Sequence, residues 1–199
     1  FGGIDRKLGT NPITIAAPWG EESMVLDMTT STTAEGKVRV AFQKGVPLPE
    51  GQLIDHDGKP TTDPGVYYAE PGGAILPLGG ALGFKGYGLS VMIDVFGGML
   101  SGFGVCRTDL PPGTNGVWLY LVDITQFVPL DEFEALVEKY VANIKSSRLM
   151  PGVDEILVPG EIEVRRMSER SRDGIDVPDE TWRQINELAE RLDVSLSDV

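Results

Sequence analysis

The segment Asn11-Pro-Ile-Thr-Ile-Ala-Ala-Pro-Trp-Gly-Glu-Glu-Ser-Met-Val-Leu-Asp-Met28 places two strand-like runs on either side of a short turn. Residues 11–17 and 24–28 are rich in apolar and β-branched side chains, which is typical of strands. The link between them, residues 18–23, is too short for the crossover that parallel strands need. The sequence therefore predicts an antiparallel hairpin.

A glycine-rich segment, Gly79-Gly-Ala-Leu-Gly-Phe-Lys-Gly-Tyr-Gly88, lies further along the chain and precedes an apolar, helix-like run over residues 89–100. Glycines allow a backbone to approach a ligand closely, and a helix N-terminus beside Lys85 favours an anion. The pattern matches neither a P-loop nor Gly-x-Gly-x-x-Gly. The segment is therefore either an anion site or a tight turn that packs the helix.

Helical and strand-like patterns alternate along the chain, which predicts a mixed α/β (α+β) fold. Helical spacing of apolar residues predicts helices over residues 33–44, 130–145 and 179–192. A charged run that Pro159-Gly160-Glu161 opens and Gly174 ends predicts another helix over residues 161–172. Thr32 or Thr33 is expected to cap the first helix. Residues 115–124 are apolar on both faces of an extended chain, so a buried strand is expected there, with a shorter strand over 155–158.

Composition limits the classes of function. The net charge of −13 argues against a nucleic-acid partner, and no apolar stretch is long enough to span a membrane. Cys106 is the only cysteine, which excludes an intrachain disulfide and a cysteine zinc site, and fits a reducing cytoplasm. The only histidine, His56, lies in a polar turn, so we expect neither a metal site nor a cysteine–histidine pair.

Six short segments, taken in order, resemble the malate/L-lactate dehydrogenase family of the non-Rossmann type, which also holds ureidoglycolate and sulfolactate dehydrogenases. Any one of them is weak, but six at family-like spacing are specific. They are Leu8-Gly-Thr-Asn-Pro12, Leu26-Asp-Met-Thr-Thr-Ser31, Asp57-Gly-Lys-Pro-Thr-Thr-Asp-Pro64, Pro77-Leu-Gly-Gly80, Lys85-Gly-Tyr-Gly-Leu89 and Val158-Pro-Gly-Glu161.

The resemblance implies NAD- or NADP-dependent hydride transfer between a 2-hydroxy acid and a 2-oxo acid, by a homodimer built on a largely antiparallel sheet. It implies that this chain is the C-terminal part of a longer protein, whose catalytic histidine lies upstream of residue 1. Residues 1–150 would then be most of the cofactor domain. Residues 151–199 would be a helical segment that packs on the upstream part.

The resemblance also implies a set of cofactor-binding residues, each with a plainer alternative. Asp27 would accept hydrogen bonds from ribose hydroxyls and the following threonines would donate to phosphate, or these residues cap the next helix. Lys85 would face an anion, or is a surface lysine. The full set is Asn11, Pro12, Asp27, Met28, Thr29, Pro77, Leu78, Lys85, Gly86, Pro159, Gly160 and Glu161; for the others the alternatives are a turn, plain packing or a helix start.

Two positions depart from the family pattern. Phe84 and Val117 stand where many members have histidine, which implies a different substrate or a lost contact. Two hypotheses follow: the chain is one portion of a dehydrogenase, or it is a non-catalytic nucleotide-binding or interaction module that lacks its own proton donor.

Overall fold

The predicted hairpin is present in the computed structural model, which describes residues 1–105 and 114–196. Strand β1 (Ile13–Trp19) pairs antiparallel with β2 (Glu22–Met28), from Ile13 opposite Met28 to Trp19 opposite Glu22. The connection is two residues long, tighter than predicted, because Gly20 adopts a left-handed φ of 60° that glycine accepts at little cost.

A second, three-stranded antiparallel sheet has the order β4–β3–β5, with β3 at Leu53–Ile54, β4 at Pro60–Thr61 and β5 at Ala74–Ile75. Helix α1 (Glu35–Lys44) packs on it, and a short helix α2 (Gly65–Tyr68) lies between β4 and β5. Val38, Ala41, Leu48 and Leu53 form the buried core at this junction. The mixed α/β, largely antiparallel fold class is thus confirmed.

Four further helices follow, and three of them closely match the predicted ranges. They are α3 (Phe84–Ile93), which continues as a π-helix over Asp94–Leu100, α4 (Leu130–Lys145), α5 (Glu161–Asp173) and α6 (Asp179–Leu192). Short 3₁₀ turns lie at Gly80–Leu82 and Ile124–Gln126. No helix in the described part of the chain is long and apolar enough to cross a membrane.

Four predictions about elements were wrong. Helix α3 begins at Phe84 and not after Gly88, so Lys85, Gly86 and Gly88 are helical. Residues 115–124 and 155–158 form no strand, because neither segment has a hydrogen-bonded neighbour strand among the described residues. Neither Thr32 nor Thr33 caps α1, because the N-cap is Ala34. The Thr32 hydroxyl instead donates to the carbonyls of Gln52 and Leu76.

Candidate functional site

The end of β2 is tied to two other segments through Thr30, which is almost fully buried. Its amide donates to the carbonyl of Thr10 at 3.0 Å, and its hydroxyl donates to the carbonyl of Asn11 at 2.9 Å. Its own carbonyl accepts the amide of Leu78 at 3.0 Å. One buried residue therefore holds residues 10–12, 29–31 and 77–78 together; because a buried polar group without a partner is costly, this arrangement is strongly specified.

Asn11 connects the end of β2 to helix α3. Its side-chain amide nitrogen donates to both the carbonyl and the hydroxyl of Ser90, each at 3.0 Å, and Ser90 is buried. The backbone of Asn11 is left-handed, with φ of 37°, a conformation that asparagine tolerates better than most residues. Asn11 thus holds α3 against the strand end through its amide nitrogen.

Gly86 brings α3 into contact with the Pro77–Leu78 segment. Its amide donates to the carbonyl of Leu78 at 3.2 Å. A Cβ atom at Gly86 would lie 2.3 Å from that carbonyl oxygen and 2.7 Å from the Leu78 nitrogen, distances that no real side chain adopts. Pro77 is bridged to Ser31. Only glycine therefore permits this helix start to approach so closely.

We name the joined segments the strand-end cluster: residues 10–12, 27–31, 77–78 and 85–90. Two charged side chains of the cluster are exposed. Asp27 accepts a hydrogen bond from the Thr14 hydroxyl at 2.8 Å through one carboxylate oxygen, directly across the hairpin. Lys85 is exposed on the first turn of α3, where the helix dipole also favours an anion.

The hydroxyl of Thr29 is already engaged, since it donates to the carbonyl of Ser31 at 3.2 Å. The hydroxyl of Thr30 is likewise used within the cluster. These threonines hold the strand end in shape, and the charged groups of the cluster that face outward are the carboxylate of Asp27 and the ammonium group of Lys85.

Residues Pro159, Gly160 and Glu161 lie beside the middle of β2. The carbonyl of Pro159 accepts the amide of Val25 at 3.2 Å, and a Cβ at Gly160 would lie 3.2 Å from the same nitrogen. Val25 is two residues from Asp27 on the same face of β2, about 7 Å away at the rise of a strand. The structure therefore brings this turn near Asp27, although it does not join the cluster.

The carboxylate of Glu161 stabilises the turn itself. One oxygen pairs with Lys145 of α4, and the other accepts the Val158 amide at 2.7 Å. Partial burial acts to raise the pKa of this carboxyl, but the hydrogen bonds from Lys145 and Val158 outweigh it, so the pKa lies below its ordinary value. Stabilising the start of helix α5 is thus a better-supported role for the Glu161 carboxylate than contacting a cofactor.

The other residues considered from sequence lie elsewhere. His56 is exposed in the β3–β4 turn, with Nε2 3.5 Å from an oxygen of Asp57. Phe84 packs edge-to-face with Phe1 at 6.3 Å, and Val117 is exposed. Cys106 lies outside the described residues. Within the described residues, no group of three or more histidine, cysteine, aspartate and glutamate side chains could hold a metal ion.

Sequence reasoning did not single out Ser90 or Lys145, and it expected Thr30 to donate to a phosphate and not to be buried. Thr30 lies inside the quoted segment Leu26-Asp-Met-Thr-Thr-Ser31, so its position was visible but not its burial. Ser90 is an isolated polar residue in an apolar helix, a pattern that indicates a buried hydrogen bond. Nothing in the sequence marks Lys145, which is 16 residues from Glu161.

The described residues define a protein of the α+β class, with an antiparallel hairpin bonded to a glycine-bearing helix and a second small antiparallel sheet. The profile of the malate/L-lactate dehydrogenase family matches residues 1–186, and the chain belongs to this family. The prediction drawn from the six segments is confirmed.

Characterised relatives carry several substrate names. The chain is 40% identical over 201 residues to malate dehydrogenase of Pyrococcus horikoshii, covering 97% of this chain and 55% of the relative. It is 38% identical over 201 residues to L-lactate dehydrogenase of Cupriavidus necator, covering 98% and 56%. The chain thus spans little more than half the length of these relatives.

Two solved structures have the same fold. The Pyrococcus horikoshii malate dehydrogenase gives a TM-score of 0.77 at 33% identity, over 98% of this chain and 54% of that one. The sulfolactate dehydrogenase of Methanocaldococcus jannaschii gives 0.71 at 36% identity, over 100% and 57%. The described fold is therefore similar to one portion of each larger enzyme.

Proposed function

We propose that this chain binds NAD or NADP and forms the cofactor-holding portion of a 2-hydroxy acid dehydrogenase. The reaction moves a hydride between the cofactor and a 2-hydroxy acid/2-oxo acid pair of the malate or lactate type. The observation that carries the proposal is the strand-end cluster, in which a single set of hydrogen bonds joins Asn11, Thr30, Leu78 and Gly86. The relatives' names, malate and L-lactate dehydrogenase, support the substrate class.

The chemistry of the outward-facing groups fits such a cofactor. The Asp27 carboxylate is exposed and accepts hydroxyl hydrogen bonds, as its contact with Thr14 illustrates, so it suits ribose hydroxyls. Lys85, on the first turn of α3, suits a pyrophosphate or a substrate carboxylate. Hydride transfer is the chemistry that a nicotinamide supplies when bound, while the protein binds and orients it.

The remaining assignments are part of the same proposal. Pro12, Met28 and Thr29 would contact the cofactor from the strand ends, Pro77 and Leu78 would line the nicotinamide side, and the turn of Pro159, Gly160 and Glu161 would border the site from beside Val25. Residues 1–150 form most of the cofactor domain and residues 151–199 a helical segment. The active form is a cytoplasmic homodimer.

The proton transfer that accompanies hydride transfer is assigned to a residue that is not among these 199 residues. The single histidine of this chain is exposed in the β3–β4 turn beside Asp57, a position that suits a solvated loop residue rather than a catalytic acid. This observation also favours the second candidate, a non-catalytic nucleotide-binding module. Both candidates, the dehydrogenase portion and the non-catalytic module, have the same cofactor site. They differ in whether the whole protein turns over a 2-hydroxy acid.

The site is tested by the affinity for NADH and NADPH, measured by fluorescence titration of the chain and its Asp27→Ala variant. Loss of the ribose contact is expected to cost on the order of 1–3 kcal/mol, about a factor of 5 to 150 in Kd. Thr14→Val is the matched control, because it removes the hydroxyl bonded to Asp27 but keeps the carboxylate and the strand propensity of the position.

Unchanged affinity in Asp27→Ala would remove Asp27 from the site. Equal losses in Asp27→Ala and Thr14→Val would assign the effect to the hairpin and not to a direct contact.

A further inference from the structure

The segment of residues 116–122 is apolar, and its residues 117–122 are exposed. Six consecutive apolar residues follow Gly116, and Val117, Leu119 and Leu121 are 76%, 77% and 82% exposed. The rings of Trp118 and Tyr120 stack 5.9 Å apart and within 4° of parallel. That is the spacing of residues i and i+2 on one face of an extended chain.

The backbone of this segment has no hydrogen-bond partner among the described residues. Within the described ranges, residues 1–105 and 114–196, no backbone amide or carbonyl of residues 116–122 forms a hydrogen bond. An extended chain with free donors and acceptors on both edges is a template for further strands. The segment also has none of the lysine, proline or inward charge that protects a natural edge strand. The segment therefore has the sequence of a buried strand but is exposed and has no strand partner among the described residues.

One face of the segment is anchored to the π-helical continuation of α3. The ring of Trp118 lies 5.2 Å from that of Phe96. A Cβ at Gly116 would lie 2.1 Å from the carbonyl oxygen of Gly97, so the two backbones touch. The opposite face, formed by Val117, Leu119 and Leu121, has no such cover. A strand that is apolar on both faces is typical of a sheet that is covered on both faces.

We propose that residues 116–122 are an inner strand of a sheet whose neighbouring strands come from the portion of the family fold that this chain does not span. The relatives provide that portion, since the matched region is 55% of the Pyrococcus horikoshii protein. The solved structure of the same relative covers 98% of this chain with a TM-score of 0.77, so the described fold resembles one part of that larger fold.

A second copy of this chain fits less well. Val117-Trp-Leu-Tyr-Leu121 is nearly symmetric about Leu119, so two copies could pair antiparallel about a two-fold axis. Such a pair would satisfy one edge of each strand and leave the other edge open. An inner strand needs two neighbours, which a single isologous contact does not supply.

The test adds the unmatched portion of the Pyrococcus horikoshii malate dehydrogenase to this chain, both as a separate polypeptide and joined to it in one chimeric chain. The amides of residues 117–122 are followed by hydrogen exchange, and Trp118 is followed by fluorescence in a Trp19→Phe, Trp182→Phe background. We expect exchange of these amides to slow by about 100-fold or more and the emission of Trp118 to shift to shorter wavelength.

Leu119→Asp is expected to abolish the slowed exchange, because it places a charge on the uncovered face. Leu136→Asp on α4 is the matched control, since Leu136 is also exposed and apolar and is expected to leave the exchange pattern unchanged. Both residues are exposed in the chain alone, so circular dichroism should show the same helix content in each variant.

Two results would overturn the proposal. The first is exchange at residues 117–122 that stays as fast in the chimera as in the chain alone. The second is slowed exchange without any added portion, together with a doubled mass by light scattering, which would assign the strand to self-pairing. These readouts do not depend on turnover or cofactor binding, so they are separate from the proposed function.

Discussion

Gly86 and Gly88 are two residues apart in α3 and meet different surroundings. Gly86 is buried against the backbone of Leu78, where an added Cβ would lie 2.3 Å from the nearest atom. Gly88 has no atom within 4 Å of such a Cβ. The first glycine allows the close approach on which the strand-end cluster depends, whereas the second only weakens the helix.

Alanine at the two positions is expected to have opposite effects. Gly86→Ala should lower the free energy of unfolding by about 1–3 kcal/mol, because the neighbouring atoms are backbone and cannot move aside. Gly88→Ala should raise it by about 0.5–1 kcal/mol through better helix propensity. Urea unfolding followed by circular dichroism measures both. A Gly86→Ala variant as stable as the parent would contradict the packing described for Leu78.

At the scale of elements, the ends of α4 and α5 are joined by the Lys145–Glu161 ion pair. Lys145 lies in the last turn of α4 and Glu161 in the first turn of α5, so each charge also faces the favourable end of its own helix dipole. The second oxygen of Glu161 holds the Val158 amide. The pair therefore orients the turn that lies against β2.

The contribution of Glu161 is expected to depend on pH. Its folded-state pKa is lowered, so the stabilisation is present above the unfolded value of about 4.3 and is lost as the pH falls through the folded-state pKa. Glu161→Gln should cost about 1 kcal/mol at pH 7. The difference from the parent should be smaller at pH 3 than at pH 7, because pH 3 lies below the unfolded-state value.

Urea unfolding at the two pH values measures this difference. Glu163→Gln, also in the first turn of α5 and exposed, is the matched control and should change stability little at either pH. A Glu161→Gln cost that stayed constant with pH would show that the ion pair does not provide the stabilisation.

At the scale of the whole molecule, the chain has a small core and much exposed apolar surface. Its buried core centres on Val38 and Leu53, whereas Leu119, Leu121 and Phe127 are each more than three-quarters exposed. A family member spanning little more than half the length of its relatives is expected to leave part of a shared core open.

The 199 residues alone are expected to show no turnover of malate, lactate, ureidoglycolate or sulfolactate with NAD or NADP. The only histidine is in an exposed turn, and general acid–base catalysis typically contributes roughly 10²- to 10⁴-fold. Absorbance of the reduced cofactor measures the rate. Turnover at ordinary enzyme rates would contradict this expectation, and His56→Ala would then identify whether His56 is the acid.

Local patterns in the sequence determined the hairpin, α4, α5 and α6, as well as the family. The hairpin needs only strand-like runs and a short turn, and the amphipathic helices need only 3.6-residue periodicity, so each depends on neighbouring residues. The six motif segments likewise depend on identity and order.

Tertiary structure alone decided the start of α3, the strand-end cluster and the conformation of residues 116–122. Glycines at 86 and 88 disfavour a helix locally, and contacts with Leu78 and Asn11 hold it there. Burial of Thr30 and Ser90 depends on residues far away in sequence. Residues 116–122 have the composition of a strand but pair with no described neighbour, because a strand forms only where a second segment supplies the other half of its hydrogen bonds.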